Sequence, residues 1–137
     1  MATQIFVNLP VRNLERSIAF FGALGFTFNP QFTDENATCM IVGDNIFVML
    51  LVEPYFQTFT KKSLCDANTS TEVIFAVSVE ERAKVDDLVA KAVAGGATTP
   101  SEPKDHGFMY LHGFEDLDGH LWELFHMDPA GPPASGE

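Results

Sequence analysis

The chain has 137 residues, 46% of them hydrophobic and 12% aromatic, enough for one well-buried domain or two small modules sharing a core. Its 8 basic and 19 acidic side chains leave a formal charge of −11, which repels nucleic-acid phosphates and anionic lipid surfaces and argues against either as a partner. The N-terminus MATQIFVNLP lacks a basic segment followed by a long apolar run, and no segment approaches the roughly 20 apolar residues of a membrane span, so a soluble cytoplasmic protein is expected.

In residues 5–11, Ile5, Val7, Leu9 and Val11 alternate with Phe6, Asn8 and Pro10, the pattern of a strand with one aliphatic and one mixed face. Asn13 reads as an N-cap, and Leu14, Ile18, Phe21 and Leu24 recur at helical spacing until Gly25. That helix covers the aliphatic face. Residues 26–33 and 37–43 read as two further strands, and Asp44-Asn45 is a turn signal before the apolar run 46–52. Residues 54–70 lack periodicity and are predicted to form a connector or binding loop. The pattern then restarts. Val73, Phe75, Val77 and Val79 alternate with Glu72, Ile74, Ala76 and Ser78, and Val85, Leu88, Val89, Ala92 and Val93 form a helical stripe ending at Gly95-Gly96. Strands at 108–114 and 120–126 follow, joined across Asp118-Gly119, which is read as a two-residue hairpin turn. The tail from residue 129 to 137 is predicted to fray.

The halves are one unit repeated, strand, helix and three strands. Val11 and Val79 are 68 positions apart, whereas Asp44 and Asp118, like Met49 and Glu123, are 74 apart, a drift that loop insertions explain. The predicted organisation is a first module at 1–53, a connector at 54–70, a second module at 71–128 and the tail. Each module turns its aliphatic sheet face to its own helix, which leaves the mixed face for function.

On that face the last strand carries one misplaced acid. Leu121, Glu123 and Phe125 share a side, so the carboxylate must bind a cation, accept hydrogen bonds or stay protonated, unless the face meets solvent and Glu123 is merely a surface acid. The other predicted members of the face are Phe6, Asn8, Phe47, Met49, Leu51, Ile74 and Ala76. A two-residue turn would set Phe114 opposite Glu123 and His112 opposite Phe125, making His112 a diagonal neighbour of Glu123 at about 7–8 Å and a candidate acid–base partner. Tyr110, on the His112 face, is a candidate ligand contact. Trp122 is expected in the core. His106, His120 and His126 are read as structural or surface residues. Cys39 and Cys65 are too few and too far apart for a zinc knuckle or disulfide framework, so two reduced thiols are expected.

The segments VRNLERSIAFFGALGF and FEDLDGHLWEL resemble the strand-to-helix opening and the final hairpin of the vicinal oxygen chelate superfamily, which includes glyoxalase I, bleomycin-resistance proteins and extradiol dioxygenases. The resemblance implies an α+β fold of two tandem βαβββ modules with curved mixed sheets enclosing a cavity, commonly in a homodimer, and often with a divalent metal. Carried over, the metal positions fall on Phe6, Met49, Ile74 or Glu72, and Glu123, of which only Glu123 matches. Ile74 fits the strand-to-helix spacing better than Glu72. A divalent ion is expected only if Glu72 and Glu123 converge; otherwise no cofactor is expected.

The function expected from this reading is capture of a mainly apolar small molecule in a cavity between modules or subunits, without the family's usual metal site, with Glu123 and His112 as the candidate catalytic groups and Phe6, Asn8, Phe47, Met49, Ile74, Tyr110 and Phe125 as ligand contacts. The alternative is a metal-dependent lyase, isomerase or dioxygenase of the glyoxalase type that uses Glu123 as ligand or acid–base group.

Overall fold

The computed structural model describes residues 2–132, which form two compact units divided between Cys65 and Asp66. Of the tail predicted at 129–137, residues 133–137 lie outside the described residues. Among the described residues no helix is long and apolar enough to cross a membrane.

In the first unit β1 (Ile5–Val11) leads into α1 (Leu14–Ala23), followed by β2 (Thr27–Asn29), β3 (Ala37–Gly43) and β4 (Ile46–Val52). The strands lie in the order β1-β4-β3-β2, with β1 parallel to β4 and the other pairs antiparallel. Asn13 caps α1 as its sequence indicates, its Oδ1 accepting from the Arg16 N–H at 3.0 Å. At the far end Gly25 takes φ of 106°, a left-handed conformation that lets the chain turn back. Leu9, Val11, Met40, Val48 and Leu50 form the buried sheet face, with Phe21 and Leu24 on the helical side of the core. The strand expected over 26–33 is only three residues long. Asn29-Pro30 ends it, with Asn29 Oδ1 accepting from Gln31 N at 3.0 Å and residues 30–32 winding into a 3-10 turn. The connector also has local structure: α2 (Glu53–Phe56) and a 3-10 turn at Gln57–Phe59 follow β4 directly.

The second unit repeats the plan. Its elements are β5 (Ile74–Ser78), α3 (Arg82–Ala94), β6 (Lys104–Asp105), β7 (Met109–Glu115) and β8 (Leu121–Met127), in the order β5-β8-β7-β6 with β5 parallel to β8. The apolar stripe Val85, Leu88, Val89 and Ala92 of α3 is buried, as are Phe114, Trp122 and Leu124 of the sheet. Phe75 stacks on Trp122 with ring centroids 4.6 Å apart. The two modules therefore share one topology in an α+β fold of two open four-stranded mixed sheets, each packed on a helix through its aliphatic face.

The final hairpin departs from the two-residue turn. Asp116 N–H donates to His120 O at 2.9 Å and Gly119 N–H to Asp116 O at 3.1 Å, with Gly119 at φ of 91°. This is a three-residue loop, a turn followed by a left-handed glycine. The extra residue moves the pairing by one, so Phe114 faces Trp122, Gly113 faces Glu123 and His112 faces Leu124. Because side chains alternate, a one-residue shift carries every side chain of β7 to the opposite sheet face.

Candidate functional site

Strand alternation and pairing register place Glu123 at the centre of a row running across the sheet face turned away from α3. Its lateral neighbours are Ala76 on β5 and Gly113 on β7, and its neighbours along β8 are Leu121 and Phe125. Glu123 is half-buried, and among the described residues its carboxylate forms no hydrogen bond or ion pair. A Cβ at Gly113 would meet the Trp122 carbonyl oxygen at 2.7 Å and Glu123 Cγ at 3.4 Å, so only glycine fits there. The carboxylate thus stands between a methyl group and a bare backbone, with larger apolar side chains before and after it along its own strand.

The same register removes His112 from this site. It shares the helix-side face with Leu124, and its Nε2 lies 3.1 Å from Ser101 O, so the diagonal pairing with Glu123 expected for a two-residue turn does not form. Tyr110 sits on that face too, opposite His126, and its hydroxyl donates to Asp86 Oδ1 at 2.6 Å. The Arg82 guanidinium lies 4.8 Å from the Tyr110 ring centroid and pairs with Asp105. These contacts tie α3 to β6 and β7 and hold Tyr110 away from the Glu123 face.

In the first unit the corresponding face carries Phe6, Asn8, Phe47 and Met49. Phe6 pairs with Phe47 and Asn8 with Met49, which in turn faces Cys39. The Phe6 and Phe47 rings stack with centroids 4.7 Å apart. Phe6 keeps 48% of its surface exposed, and Ile74, at the matching place in the second unit, keeps 51%. Cys39 is buried, and this desolvation pushes its thiol pKa up, which suits an inert thiol rather than a nucleophile.

Sequence reasoning missed two residues that shape the second unit. Gly113 was visible as a glycine inside a strand pattern, a mark of close backbone approach. Asp116 was not distinguishable from a surface acid, yet it is buried and accepts from Trp122 Nε1 at 3.0 Å, Asp118 N at 2.9 Å and His120 N at 3.0 Å.

The donor set does not fit the divalent ion that the superfamily resemblance implies. The register makes Ile74 the counterpart of Phe6, since Phe6 pairs with Phe47 just before the Asn8–Met49 pair and Ile74 pairs with Leu121 just before the Ala76–Glu123 pair. Glu72 lies outside β5. The four positions then read Phe6, Met49, Ile74 and Glu123, with a single hard oxygen donor among them. Among the described residues no three His, Cys, Asp or Glu side chains gather as a metal site would require.

Residues 3–43 match the bleomycin resistance protein-like N-terminal family. Among solved structures, the chain is 32% identical to the hypothetical protein SA1046 of S. aureus, with 92% of this chain and 95% of that one aligned and a TM-score of 0.78. A glyoxalase-related enzyme from Fulvimarina pelagi aligns over 98% of this chain and 94% of its own at 18% identity and a TM-score of 0.79. A glyoxalase/bleomycin resistance protein/dioxygenase family enzyme from Burkholderia phytofirmans PsJN aligns over 92% and 99% at 18% identity and a TM-score of 0.76. No curated protein matches by sequence.

Proposed function

Since the chain belongs to the glyoxalase, bleomycin-resistance and dioxygenase group of the vicinal oxygen chelate superfamily, we propose that it binds a mainly apolar small molecule on its open sheet faces without the divalent metal of its metal-dependent relatives. The observation that carries this reading is the isolation of Glu123, a lone carboxylate among Leu121, Phe125, Ala76 and Gly113 with no second metal-ligating side chain beside it among the described residues. A tightly held catalytic ion takes about three protein ligands, and one carboxylate cannot replace them. Phe6, Phe47 and Met49 supply apolar contact area on the sheet face of the first unit, with Asn8 as its polar group, and Ile74 and Phe125 do so on that of the second, with Glu123 as its polar group. The setting proposed is the cytoplasm, where both thiols stay reduced.

The test is elemental analysis of protein expressed in metal-replete medium, alongside Glu123→Gln. The expected result is substoichiometric metal in both proteins. About one nickel, zinc, iron or manganese ion per subunit, lost in the Gln variant, would restore the metal-dependent enzyme. A homodimer is part of the same proposal, because each unit leaves large apolar side chains exposed, Ile5 and Phe6 in the first and Ile74 in the second, that a second copy can cover. Light scattering across the micromolar range should give twice the 15.1 kDa chain mass. A constant monomer would remove that part.

A further inference from the structure

We infer that the Glu123 position is a receptor for a protonated nitrogen, so that the molecule taken up is an amphipathic organic cation, an ammonium, amidinium or guanidinium group on an apolar body. This rests on the small-molecule reading above and adds the charge and donor chemistry of the ligand.

The row Ala76, Glu123, Gly113 is a notch. Two inter-strand spacings, about 9–10 Å, separate the outer strands of this row, and neither flanking residue carries a side chain longer than a methyl group. Leu121 and Phe125 close the notch along the strand. A carboxylate set among apolar groups has lost part of its water, and no protein donor within the described residues replaces it. What the notch lacks is therefore a hydrogen-bond donor, and the donor that best matches a carboxylate is charged.

Anions are disfavoured on two counts. Among the described residues the only basic side chain on this face of the sheet is Lys104, on the edge strand β6, which pairs with Leu111 and stands off the Glu123 row. The chain's −11 formal charge also repels anions and attracts cations at long range. A neutral donor would satisfy the geometry but gains nothing from this field. Small hydrated metal ions are served poorly, because one carboxylate supplies too few ligands, whereas an ammonium or guanidinium needs only one acceptor plus apolar walls for its substituents.

The experiment uses three probes that share one aromatic body, 1-naphthylmethylamine, 1-naphthylmethanol and 1-naphthoate, titrated calorimetrically into the full-length protein at low ionic strength. The amine should bind at least tenfold tighter than the alcohol, the carboxylate should bind more weakly than either, and the preference should shrink as salt is raised. Glu123→Gln should abolish the advantage of the amine over the alcohol. Ala76→Leu keeps the carboxylate and fills the notch, and it too should erase the preference; it is chosen over a change at Gly113, where a Cβ would strike the Trp122 carbonyl. Equal binding of all three probes, or an amine preference that survives both variants, would overturn the cation inference and leave the apolar-ligand reading standing. Failure of all three to bind at millimolar concentration would overturn both.

Discussion

At the scale of single residues, the most constrained polar group is Asp116. Burial pushes its carboxyl above the ordinary aspartate range, against the opposing pull of His120 and of the hydrogen bonds from Trp122, Asp118 and His120. Asp116→Ala would leave the indole N–H and two backbone N–H groups without their acceptor and should cost about 2–4 kcal/mol in urea unfolding at neutral pH. The pH dependence has a definite sign. A carboxyl whose folded-state pKa lies above the unfolded value of about 3.9 takes up a proton on folding, so its contribution is fully present below that value and is lost as pH rises through the folded one. The stability of the native protein relative to Asp116→Asn should therefore increase as pH is lowered from neutrality towards about 4, and parallel urea midpoints would show it. A flat or opposite difference would contradict the assignment. Gly119→Ala is a second case. At φ of 91° any side chain is strained, and a Cβ would stand 2.6 Å from Asn68 Oδ1 and 2.9 Å from the Ala67 and Asn68 backbone. A loss of about 2–3 kcal/mol is expected, read from the same unfolding curves.

At the scale of elements, the helices and most strands were legible because their signals are local. Asn13 and Gly25 bracket α1 as capping chemistry requires, and removing the cap by Asn13→Ala should cost about 1 kcal/mol, with Asn13→Gly costing less. Thermal unfolding of the two variants checks the order. The strand at 26–33 was overestimated because Asn29-Pro30 turns the chain, and the short helix after β4 was missed because four residues give too few turns for a period to show. The site suffered more from one miscounted loop. Asp118-Gly119 is a genuine turn signal, yet Asp116 and His120, rather than their inner neighbours, close it, and the difference of one residue exchanged His112 for Gly113 beside Glu123. Sequence located the acid; it could not locate its neighbours, because register depends on how the loop closes and on which residues the core accepts. Phe114 and Trp122 are both buried, and that packing holds the observed register.

At the scale of the whole molecule, the repeat was the strongest inference available, and the structure extends its 74-residue offset to the strand that pairs with the last one in each module. Cys39 faces Met49 and Gly113 faces Glu123, each pair 74 residues from its counterpart, so both modules carry the same extra residue between their last two strands. The first module absorbs it as an irregularity between Ile41 and Gly43, the second in the loop itself. Charge also acts at this scale. With −11 on 137 residues the protein should pass through a heparin column without retention at low salt, and retention would point to a basic patch that composition hides. That shared extra residue works like a reading frame for the sheet. Deletion of Leu117 leaves two ways to close the hairpin: a two-residue turn at Asp118-Gly119, which keeps Asp116 paired with His120 and Phe114 inside, or a three-residue loop that begins at Asp116, turns Phe114 outward and sets His112 opposite Glu123. The neighbours available to this acid are therefore set by how a buried turn closes as much as by the residues of its strands.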